Sequence, residues 1–105
     1  MRILMKVSMP VETGNELARK GALGSTIQKI LEEVKPEAAY FAEMDGLRTG
    51  ILIVNLKAES DIPALAEPFF LALNARVSFH PCMVPADLVV AGPAIDRAAH
   101  EYGRH

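Results

Sequence analysis

The amino-acid sequence predicts an α+β fold of the ferredoxin-like βαββαβ kind, with an antiparallel four-stranded sheet and a C-terminal helix. Three observations carry this reading. Residues 36–56 read as a hairpin, with strands over 38–43 and 49–56 joined at Asp45-Gly46, two residues that tolerate positive φ. The second of these strands, Gly-Ile-Leu-Ile-Val-Asn-Leu, is almost continuously apolar, as in a strand covered on both faces. A strand pattern at 2–8 and another at 76–80 are each separated from the hairpin by a helical pattern. Right-handed crossovers then place both helices on one face of the sheet, in the spatial strand order 4-1-3-2.

Taken in order, residues 2–8 alternate Ile3, Met5 and Val7 against Arg2, Leu4, Lys6 and Ser8, one purely apolar face and one mixed. Met9-Pro10 ends the strand. A polar, glycine-punctuated stretch follows, with a short helix over 15–20 and a firmer one over 27–35 capped by Ser25 or Thr26. Leu17, Gly24, Ile27, Leu31 and Val34 also share one helical face, so a single bent helix is the alternative. Pro36 stops it. Asp61 is the expected N-cap of a second helix over 61–74, with Pro63 in its first turn and a kink or restart near Glu67 ahead of Pro68. The strand at 76–80 places Val77 and Phe79 on one face and Ser78 and His80 on the other. A short helix over 85–91, a break at Gly92-Pro93 and a last helix to Tyr102, stopped by Gly103, complete the chain.

With 105 residues, half of them hydrophobic and 23% charged, the chain makes one domain over 1–105 with one modest core. A net charge of −2 excludes the electrostatic footprint of a nucleic-acid binder. The basic and aromatic central-strand signature of RNA-binding sheets is also missing from 47–56. The apolar run near the N-terminus is too short for a membrane span or a signal peptide, and the single Cys82 suits a reducing compartment. These features point to the cytoplasm, with no membrane partner. The predicted sheet leaves Leu4, the aliphatics of 51–56 and the Tyr40/Phe41 region on an uncovered face. That size of apolar face calls for a homodimer, with the two open sheet faces together.

The stretches RILMKVSMP, IQKILEEVKPEAAYF with DGLRTGILIV, and FHPCMVPADLVVAGPAI resemble a family of small bacterial proteins of unknown function. That family is related to the dimeric α/β-barrel superfamily, which includes muconolactone isomerase-like proteins, small quinone-forming monooxygenases and stress-responsive barrel proteins. The resemblance implies the same fold and a dimeric α/β barrel. It hands on no catalytic residue.

Candidate chemistry follows from strand parity. Ser78 and His80 share a face with Leu4, Lys6 and Ser8 on the neighbouring strand. A Lys and a His directed into a partly apolar space lose solvation of their charged forms and serve as acid, base or anion clamp. His80, Lys6 and Tyr40 are the catalytic candidates, and Ser8, Glu43 and Ser78 the ligand-binding ones. The simpler account pairs Lys6 and His80 with a carboxylate such as Glu43, or with the partner chain, without any ligand. His80 and Cys82 lack a third and fourth metal ligand at usable spacing, His100 and His105 lying on the tail, so no metal or other cofactor is expected. Asp45 and Arg48 are assigned to the turn. The expected activity is binding or acid/base transformation of a small, partly apolar organic molecule in a pocket between helices and sheets. The alternative is a non-enzymatic sensor or dimeric interaction module.

Overall fold

The computed structural model describes residues 1–103. The elements run β1 (Arg2–Met9), α1 (Val11–Arg19), α2 (Leu23–Val34), β2 (Ala38–Met44), β3 (Leu47–Asn55), a 3-10 turn (Glu59–Asp61), α3 (Ile62–Leu73), β4 (Arg76–Pro81) and α4 (Pro85–Tyr102). All strand pairs are antiparallel and the sheet order is β2-β3-β1-β4. This is the ferredoxin-like βαββαβ layout with a C-terminal helix.

The sheet has two unlike faces because successive side chains in a strand point to opposite sides. Along β1 the residues Ile3, Met5, Val7 and Met9 are buried, while Arg2, Leu4, Lys6 and Ser8 are only half-buried. Leu52 and Val54 of β3 join the buried set, and Ile30 of α2 with Phe69 and Leu73 of α3 close over it. The core therefore lies between the sheet and α2/α3. Among the described residues, the helices that close the core all lie on this one face.

Local chemistry explains the helix boundaries and their departures from the sequence reading. The helical region between β1 and β2 is two helices, not one bent helix. Gly21, at φ +68°, ends α1. The N–H of Gly21 donates to the Ala18 carbonyl and that of Ala22 to the Leu17 carbonyl, the paired bonds of a Schellman stop. This stop lets α2 begin at once, so Ser25 and Thr26 lie inside α2 and not at its cap. The Ser25 hydroxyl donates back to the Ala22 carbonyl at 3.2 Å. Upstream, α1 starts at Val11, earlier than expected and directly after Pro10, so that Gly14 lies inside it. A Cβ there would stand 2.5 Å from Arg48 Nη1 and 2.9 Å from Met9 Sδ.

Asp61 precedes α3 as expected, but its carboxylate accepts the Ala58 N–H at 3.2 Å and so closes the 3-10 turn. The helix runs on through Pro68 without a restart. Likewise Gly92-Pro93 does not break the tail, and α4 is one helix of 18 residues. Proline's fixed φ is itself helical, so its cost is one lost hydrogen bond and local crowding, not an obligatory stop. Among the described residues, α4 buries none of its own and has no extensive contact with another element. The molecule is accordingly 59 Å long, with a radius of gyration of 17.7 Å. A compact chain of this length would have a radius near 13 Å.

Two outcomes follow. Leu52→Ala, in the middle of the core at 1% exposure, should cost about 2–5 kcal/mol in urea unfolding; a change near zero would mean the core lies elsewhere. At the sheet's end the Arg2 guanidinium donates from Nε and Nη2 to the two Glu37 oxygens, each at 3.1 Å. These hydrogen bonds, then the charge of Arg2, hold the Glu37 carboxyl below its ordinary value of 4.5. Its folded-state value is the lower one, so the pair stabilises above the unfolded value and is lost as pH falls through the folded one. Thermal melts should therefore show Glu37→Gln less stable than wild type at neutral pH, the gap closing as pH drops below 4.5.

Candidate functional site

The β2–β3 turn sets the geometry of the candidate site. Asp45 and Gly46, at φ 55° and 78°, form a two-residue loop of the type that requires positive φ twice. The loop fixes the register, pairing Glu43 with Arg48, Phe41 with Gly50 and Ala39 with Leu52 on the helix side of the sheet. The Glu43 carboxylate accepts the Gly46 N–H at 2.9 Å and latches the turn. Arg48 reaches toward α1 and donates from Nη2 to Asn15 Oδ1 at 3.1 Å.

Beneath α2 and α3, on this side of the sheet, lies a cavity of about 360 Å³. Its walls are Val7, Leu23, Ile27, Phe41, Leu52 and Phe69, among others, and Glu43 and Arg48 are its charged lining. It sits over Gly50, whose missing side chain makes room. A Cβ there would stand 3.2 Å from Phe41 Cε1 and 3.3 Å from Leu52 Cδ1. Apolar walls with a guanidinium and a carboxylate among them suit a molecule with an apolar body and one polar end.

The open face is arranged in rows across the strands. Tyr40, Ile51, Lys6 and Ser78 make one row, and Ala38, Ile53, Leu4 and His80 the next. Ala42, Thr49, Ser8 and Arg76 make a third. His80 Nε2 and Ser78 Oγ are hydrogen-bonded at 3.0 Å, and Lys6 is Ser78's cross-strand neighbour. The structure thus brings Lys6, Ser8, Ser78 and His80 onto adjacent strands. Tyr40 shares their face but stands two strands from Lys6, about 10 Å in strand spacing. Glu43 does not join them. It lies on the other side of the sheet, bonded to the turn, and lines the cavity instead.

The sequence reading placed Phe41 with Tyr40 on the uncovered face, assigned Arg48 to the turn and left Gly50 aside; strand alternation instead puts Phe41 on the helix side, opposite Gly50. Arg48 has a second role beyond the turn, at the cavity. The signal was available: a two-residue loop at Asp45-Gly46 forces Glu43 and Arg48 to pair, and counting by twos from there reaches Phe41 and Gly50. Among the described residues no three His, Cys, Asp or Glu side chains converge as a metal cluster; His105 lies outside them. Among them, too, no helix is long and apolar enough to cross a membrane. No protein-family model and no curated protein matches this chain.

Removing the turn latch with Glu43→Ala should cost about 1 kcal/mol in urea unfolding, the net worth of one hydrogen bond. It should also raise amide exchange at Gly46. Unaltered exchange there would mean that the carboxylate does not hold the turn.

Proposed function

We propose that this chain is a homodimeric protein that binds a small, partly apolar organic molecule in the cavity between α2/α3 and the sheet. The cavity itself carries the reading: about 360 Å³, walled by aliphatic and aromatic side chains, with Arg48 and Glu43 as its charged lining. That volume falls at the lower end of the usual range for ligand pockets, roughly 300–1,000 Å³. A guanidinium at an apolar cavity favours a ligand ending in a carboxylate. The homodimer forms through the open sheet face, whose apolar centre is Leu4, Ile51 and Ile53 with Tyr40 at its side. The βαββαβ layout supports a place in the dimeric α/β-barrel superfamily, and the lone thiol of Cys82 is in keeping with the cytoplasm.

A second reading has one observation in its favour. The His80–Ser78 hydrogen bond, with Lys6 alongside, is an arrangement suited to acid/base chemistry on the open face. His80 would move the proton, with Lys6 and Tyr40 orienting the substrate.

Methyl and amide NMR with a panel of medium-chain and aromatic carboxylic acids separates the two. Binding in the cavity predicts saturable shifts at Val7, Leu23, Ile27 and Leu52. Gly50→Val should weaken that binding at least tenfold, by driving Phe41 into the space, whereas His80→Gln should leave it unchanged. Saturable shifts confined to Leu4, Ile51, Ile53 and His80 would overturn the cavity reading in favour of the second. Shifts at neither place would sink ligand binding altogether for this class of molecule.

A further inference from the structure

α4 is the feature of the molecule that its own chain leaves unexplained. It follows β4 after three residues, 82–84, and projects from the domain with no buried residue. Asp87 accepts the Val84 N–H at 3.1 Å, which fixes the direction in which the helix leaves the sheet. Propensity alone contributes little to a helix in a protein, most of whose stability comes from packing one face on a surface, and none of these 18 residues is buried. The helix contains Gly92 and Pro93, which in an exposed helix interior cost about 1 and 3 kcal/mol relative to Ala. It therefore needs a surface to rest on. Its sequence supplies the matching stripe: Leu88, Ile95 and Tyr102 recur every seven residues, with Ala91 and Ala98 between them. Leu88, Ile95 and Tyr102 are all exposed, at 50%, 53% and 76%. The small alanines would let the helix lie close against a flat surface.

We propose that α4 is an exchanged arm, lying along the open sheet face of a second copy of this chain. The proposal rests on the homodimer reading above and departs from it in one respect: the partner's helix, and not the partner's sheet, lies on that face. Three features select this occupant. The first is charge. Glu43, the only carboxylate in the four strands, is on the helix side; of the open-face cations Arg2 is paired with Glu37, while Lys6 and Arg76 make no salt bridge among the described residues. α4 carries Asp87, Asp96 and Glu101 against the single Arg97. An acidic helix and a basic, apolar sheet face are complementary, and like charges would oppose the wrong pairing. The second is length. Eighteen residues of helix span about 27 Å, and the eight residues of β1 span about 27 Å as well. The third is symmetry. Under a two-fold axis, one kind of contact covers both sheets and both helices.

The full-length protein tests this in a Cys82→Ser background, with a nitroxide attached to Ala94→Cys and the spin-labelled chain refolded together with ¹⁵N-labelled native chain. The arm predicts intermolecular broadening of the Leu4, Ile51 and Ile53 amides of the ¹⁵N chain. It also predicts that Ile95→Asp weakens the dimer at least tenfold in sedimentation while the NMR spectrum of residues 2–81 stays folded. Broadening confined to the partner's α4, or to its α2 and α3, would overturn the arm and leave the dimer standing. A dimer unaffected by Ile95→Asp would do the same. A wild-type monomer at micromolar concentration would overturn the dimer reading and the arm with it.

Discussion

The alternation of β1 is the constraint on which the rest of the molecule depends. β1 is hydrogen-bonded on both edges, to β3 and to β4, so its register fixes which side chains of both neighbours share each face. Ile3, Met5, Val7 and Met9 bring Leu52, Val54, Val77 and Phe79 to the helix side. Leu4, Lys6 and Ser8 bring Ile51, Ile53, Ser78 and His80 to the other. A slip of one residue would exchange the two sets completely and bury Lys6 in the core. The hydrophobic effect holds that register: the apolar side chains under α2 and α3 would all be returned to water together.

The connections serve this arrangement by stopping the chain at set places. Gly21, Lys35, Asp45, Gly46 and Asn74 are the positive-φ residues, and each lies at a helix end or in the hairpin loop. Left-handed backbone costs little at Gly and is tolerated by Asn and Asp. Lys35 is the exception: it ends α2 in the left-handed region with its N–H donating to the Leu31 carbonyl, the bond of a left-handed helix stop. These stops make the crossovers short enough to keep α2 and α3 on one side. The cavity then arises as a local mismatch in that packing. Gly50 contributes no side chain, the Phe41 ring is its nearest neighbour across the strands, and α2 and α3 do not fill the remaining space.

The two faces consequently do different things with the same strands. On the helix side the sheet carries the core and the cavity, with Arg48 and Glu43 brought to the cavity by the Asp45-Gly46 loop. On the open side the residues are mixed: aliphatic in the middle, cationic at Lys6 and Arg76, and hydrogen-bonded at Ser78 and His80. Exposed aliphatics in a contiguous patch suit contact with another surface, whereas isolated ones need no explanation. α4, with its own exposed stripe, is the element in the chain whose chemistry matches that patch.

Much of this was legible in the residues themselves. The period-two pattern of 2–8, the Asp45-Gly46 turn and the position of Pro36 are local signals, and they were enough for the fold class, the strand order and the facing of Lys6, Ser78 and His80. Tertiary structure decided what depends on contacts between distant segments. Gly14 lies inside α1 close to Met9 Sδ and Arg48 Nη1, side chains of two strands, an approach that no local propensity encodes. The cavity exists because of how far Leu23, Ile27, Phe41 and Phe69 stand from one another, a matter of packing between elements far apart in the chain. The separation of α4 from its own domain also needed three dimensions, because Gly92-Pro93 signals a break locally. A helix can run through that pair, since proline's backbone angle is already helical, and so the tail extends outward as one rod.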